Sequence, residues 1–157
     1  MRRPATCLSI VLATTVLASC AKDNLSSSES EFIRRHQQFR HDYCSTNTFV
    51  AEEGLASFRA WVSDPKNPCD VLNRDSVIFE VDARLFLIKE HLGETNMAEQ
   101  FYRESVEARD RYLAYIQSSR LRTRLQPITS KDQLREEVDH QDKHFDVGWK
   151  TTTTIPK

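Results

Sequence analysis

The apolar positions recur at helical spacing along most of the chain. Phe32, His36, Phe39 and Tyr43 fall at i, i+4, i+7 and i+11, and Ser28-x-x-Glu31 ahead of them has the form of a capping box. This predicts a first helix ending near Cys44-Ser45-Thr46-Asn47. Ala51, Leu55, Phe58 and Val62 mark a second helix over Thr48–Val62, stopped by Asp64-Pro65-Lys66-Asn67-Pro68. A third segment, Ser76–Leu92, has one stripe of Val77, Val81, Leu85, Ile88 and Leu92 and a second of Phe79, Ala83 and Phe86. Two stripes predict the central, most buried helix, although Val77-Ile78-Phe79 could open as a short strand. Gly93 is a stop signal.

Asn96-x-x-Glu99 can cap a fourth helix to about Gln117, with Ala98, Phe101, Tyr102, Ser105, Ala108, Tyr112 and Ile116 inward. Glu99, Arg103, Glu107 and Arg111 form an i, i+4 ladder read as a solvated face. Ser130-x-x-Gln133 can cap a last helix that turns Leu134, Val138 and Phe145 inward. Strong period-2 alternation is missing, so the expected fold is all-α, a small antiparallel bundle of four to five helices. Ala83 to Ser105 resembles one unit of a tetratricopeptide repeat, with Gly93, Ala98, Tyr102 and Ser105 at its turn, small and aromatic positions. That resemblance implies partly repeat-like helix packing; no second copy at a spacing of about 34 residues accompanies it.

The first twenty residues follow a different pattern. Arg2 and Arg3 precede an uncharged run from Cys7 to Ala18, too short to span a bilayer, which takes about 20 residues. A charged start, a short apolar run and small residues at its end read as a signal peptide over 1–19. Leu17-Ala18-Ser19-Cys20 resembles the lipobox of bacterial lipoproteins. The resemblance implies cleavage before Cys20, a diacylglyceryl thioether on its sulfur and acylation of the new amino terminus. Each buried methylene adds about 0.8 kcal/mol, so two or three chains make a lasting anchor. Ala21, where such lipoproteins of Gram-negative bacteria carry Asp for inner-membrane retention, points to the outer membrane facing the periplasm. Residues 20–30 then form a polar tether, 31–146 the helical domain and 147–157 a C-terminal tail.

Composition narrows the function. Loss of Arg2 and Arg3 with the signal takes the net charge from −1 to −3. That leaves no basic excess for nucleic acid. The chain has three glycines and no GxGxxG, GxxxxGK[ST] or GxSxG. Of the four cysteines, Cys44 and Cys69 remain after processing; an oxidising envelope favours a Cys44–Cys69 disulfide, two buried thiols being the alternative. Glu136, His140 and His144 sit at i, i+4 and i+8, a metal-ligand spacing on one helix, or equally a solvated helix face. His36 reads as a packed core histidine, and His41 and His91 as helix-end cations. The expectation is a non-enzymatic, lipid-anchored envelope protein without cofactor, whose helical domain binds a protein partner in an accessory, assembly or inhibitor role. Metal or small-ligand binding through the last helix, or an enzyme of unknown class, are the alternatives.

Overall fold

The apolar stripes fold as helices throughout the part of the chain that the computed structural model describes, residues 27–67, 71–119 and 125–151. The helices are α1 (Ser27–Tyr43), α2 (Thr48–Ser63), α3 (Val71–His91), α4 (Thr95–Ser118), α5 (Lys131–Asp142) and a short α6 (Gly148–Thr151). No strand occurs among the described residues. Val77-Ile78-Phe79 is helical, because α3 begins five residues before the expected Ser76 and carries Val77 and Phe79 to two different cores.

The double stripe of α3 explains the architecture. Val77, Val81, Leu85 and Ile88 pack with Phe39, Leu55, Phe58, Val62 and Trp149, which joins α3 to α1, α2 and α6. Phe79, Ala83 and Phe86 pack with Ala98, Ala108, Leu134 and Val138, which joins α3 to α4 and α5. A helix apolar on two sides is stable only between two layers, so α3 becomes the wall shared by two cores. Successive helices run antiparallel: Phe32 meets Trp61 and Phe39 stacks on Phe58, while Arg59 meets Asp82 and Glu52 meets Lys89. Between α3 and α4, Phe86 meets Tyr102 and Asp75 meets Arg111. The start of α1 therefore lies at the same end of the bundle as the end of α4. The starts of α2 and α4 lie at the other end, roughly 24 Å away at 1.5 Å per helical residue.

Local signals account for several boundaries. The Asn47 side chain accepts from Phe49 N at 3.0 Å to start α2. Ser130 accepts from Gln133 N at 3.2 Å to start α5, the bond that its sequence pattern predicts. Gly93 sits at φ 75°, with Gly93 N on Glu90 O and Glu94 N on Lys89 O, a Schellman closure of α3. Open space surrounds the point where a Gly93 side chain would project, so the backbone angle alone calls for glycine.

Other boundaries differ from expectation. Helix α1 starts at Ser27, which puts Ser28 inside it and takes four residues from the expected 20–30 tether. Helix α4 starts after Glu94 without a side-chain cap, so Asn96 lies within the helix and does not cap it. The expected tail from 147 instead packs: Val147 and Trp149 are buried in the first core, and Gly148 N donates to Cys44 O. The signal peptide and Cys20 lie outside the described residues.

Candidate functional site

The proposed metal ligands do not converge. Helix α5 ends at Asp142, so His144 falls in the following turn and leaves the helical register that an i, i+8 spacing requires. Glu136, His140 and His144 are all exposed, and no group of three His, Cys, Asp or Glu among the described residues is placed to hold a metal ion. Cys44 follows the last turn of α1, half-buried and without a disulfide among the described residues; Cys69 lies outside them. Burial, helped by Asp142, pushes the Cys44 thiol above its ordinary value, so it is a poor nucleophile. The Glu99 to Arg111 ladder also works differently. Glu99 pairs with Lys131 of α5 and Arg111 with Asp75 of α3, so its two ends join helices.

His36 behaves as its apolar stripe predicts. Its ring lies 5.9 Å from Phe32, 5.5 Å from Phe39 and 5.9 Å from Phe58. Burial, then the nearby Arg40 and Arg84, hold its imidazole down at about 4. The folded state therefore prefers neutral His36. The stability this contributes is complete above the ordinary histidine value of 6.5 and is lost as pH falls from 6.5 towards 4. Asp82 acts in the opposite sense: burial, against the pull of Arg59, raises its carboxyl to about 6, which favours folding as pH falls. A difference measurement separates the two. His36→Phe should gain on the parent by about 2–3 kcal/mol between pH 7.5 and 4 in urea titrations, since Asp82 is common to both. Parallel stability curves across that range would show that His36 is not held neutral.

Two clusters of polar side chains reach the surface. The first is an open cleft of about 380 Å³ lined by Leu87, Glu90, His91, Arg135, Asp139, Trp149 and Lys150. Its two permanent cations are already engaged. Arg135 donates to both Glu90 carboxylate oxygens at 3.1 and 2.7 Å, and also to Asp132. Lys150 donates to Asp139 at 2.9 Å and to Asp142 at 3.1 Å. An incoming anion would have to displace an internal carboxylate. Beneath the cleft, Asp142 is the junction of a buried network: it accepts from Tyr43 Oη at 2.6 Å and from Arg84 Nη2 at 2.8 Å. That network ties α1, α3, α5 and α6 together.

The second cluster is a seam between α2 and α4, floored by α3. Both helices pack along α3 and touch each other far less. Two charged triads bridge the seam. Arg59 of α2 donates to both oxygens of the fully buried Asp82 and, at 2.6 Å, to Glu104 of α4. Two turns along, Lys89 donates to Glu52 of α2 at 2.6 Å and to Glu94, at the start of α4, at 2.7 Å. Each triad holds one cation and two carboxylates, a net negative charge. At the Lys89 end, Phe49 stands one turn before Glu52 and Met97 one turn after Glu94, 71% and 42% exposed, with Val50 also exposed. The geometry offers exposed apolar side chains as a lip on an acidic seam.

Sequence reasoning missed Asp82, Lys89 and Asp142 as members of these clusters. The available signal was a charged residue inside an apolar stripe: Asp82, Arg84 and Lys89 interrupt the two apolar stripes of α3. No protein-family profile, curated protein or solved structure matches the chain.

Proposed function

We propose that the chain is a bacterial lipoprotein, held at a membrane through Cys20, whose helical body docks another envelope protein in an accessory, assembly or inhibitor role. The observation that carries the docking is the exposed lip of Phe49, Val50 and Met97, at the end of the bundle opposite the start of α1. A lipid on Cys20 leaves a seven-residue step to Ser27, with a reach of about 25 Å. The tether would join the body at the end away from the lip, which leaves the lip free to meet a partner. Tethering raises the effective concentration for partners in the same membrane, so a small lip is enough for a useful encounter. Ala21, in place of Asp after Cys20, supports the outer membrane, facing the periplasm.

The anchor is tested by lipid labelling in the native cell. Labelled palmitate should enter the wild-type chain and be lost in Cys20→Ser, and the intact mass of the purified protein should exceed that of residues 20–157. A bare Cys20, or label retained in Cys20→Ser, would sink the proposal.

A further inference from the structure

Resting on the docking role just proposed, we infer that the Lys89 end of the α2–α4 seam receives a partner segment that is both apolar and basic, with hydrophobic side chains flanked by Lys or Arg. The apolar half of that chemistry comes from Phe49 and Met97. Each stands three residues from a carboxylate of one Lys89 triad, Phe49 before Glu52 on α2 and Met97 after Glu94 on α4, so the two flank that triad within one turn of it. Ile33 and Tyr115, the other exposed large hydrophobics among the described residues, lie on α1 and α4 towards the opposite end, away from the Lys89 triad. Single exposed hydrophobics are ordinary; a grouped set on a charged rim marks an interaction surface.

The basic half comes from charge. Lys89 is 5% exposed and already bound by two carboxylates, whereas Glu94 is 42% exposed and Glu53, one turn from Phe49, is exposed as well. The surface around the lip is therefore negative. A second copy of this chain would bring the same negative rim against it, and an anionic membrane surface would be repelled. A segment with Lys or Arg beside its hydrophobic residues satisfies both features, in the manner of an amphipathic segment laid along a groove between helices.

The test places a photo-crosslinking residue at Phe49, Met97, Ile33 or Tyr115, one at a time, in the full lipidated chain in its native cell, and sequences the crosslinked peptides. Phe49 and Met97 should capture the same segment, with Lys or Arg within a turn of its apolar residues. Glu53→Lys, on the exposed face, should lower that yield by about fivefold, and Glu53→Gln by less, with an unchanged thermal midpoint. Capture confined to Ile33 or Tyr115 would overturn the location while leaving the docking role standing. Capture at none of the four would overturn both. A second copy of the chain, lipid alone or an acidic segment at Phe49, or a yield indifferent to Glu53→Lys, would overturn the chemistry.

Discussion

Asp142→Ala is expected to destabilise the fold by about 3–5 kcal/mol, the range for breaking a buried ion pair from one side. The side chains of Arg84 and Asp142 are 6% and 4% exposed and lie 2.8 Å apart. Removing the carboxylate strips Arg84 of its Asp142 partner in the interior, leaving it Glu80 O at 2.9 Å and Gln141 at 3.3 Å. It also leaves the Tyr43 hydroxyl without its acceptor and frees Lys150 from one of its two carboxylates. Most of the loss is the desolvation of a charge no longer paired, so removing the whole set should recover most of it. The triple variant Tyr43→Phe, Arg84→Met and Asp142→Leu should be markedly more stable than Asp142→Ala alone. Urea titration followed by helical circular dichroism measures both. A cost for Asp142→Ala below about 1 kcal/mol would mean that the network contributes little to the fold.

Trp149→Ala should cost a similar amount, about 3–5 kcal/mol. The indole is 2% exposed and closes the first core from below, 5.9 Å from the Tyr43 ring and 5.4 Å from the His91 ring. Deleting it opens a cavity at the meeting point of α1, α3 and α6. The conservative change behaves differently. Trp149 Nε1 is buried without a hydrogen-bond partner among the described residues, so Trp149→Phe keeps ring packing while removing an unsatisfied donor. Its cost should stay below about 1.5 kcal/mol. Equal losses for the two variants would show that a phenyl ring does not restore the packing of the indole.

These two residues mark where the sequence could be read and where it could not. Asp142 reads as one more acid on a polar helix, and Trp149 falls in what looks like a loose end. Neither lies in a periodic stripe, since α5 stops at Asp142 and α6 has four residues. The metal reading of Glu136, His140 and His144 failed for a related reason. It needed α5 to continue past Asp142, but the chain turns there so that the Asp142 carboxylate meets Arg84 and Val147 and Trp149 enter the core. His36, by contrast, was legible because its environment is set by neighbours on its own helix as much as by Phe58.

The sequence alone determined the all-helical bundle, the double-faced α3, the glycine closure at Gly93 and the Ser130 cap. Each follows from contacts within a few residues: the 3.6-residue period and the unpaired amides and carbonyls at helix ends. Only the tertiary structure decided which charges are buried, that two triads rung the seam between α2 and α4, and that Phe49 and Met97 share one end of it. Those relations join residues on separate helices, and the partner of a buried charge exists only after the helices have packed.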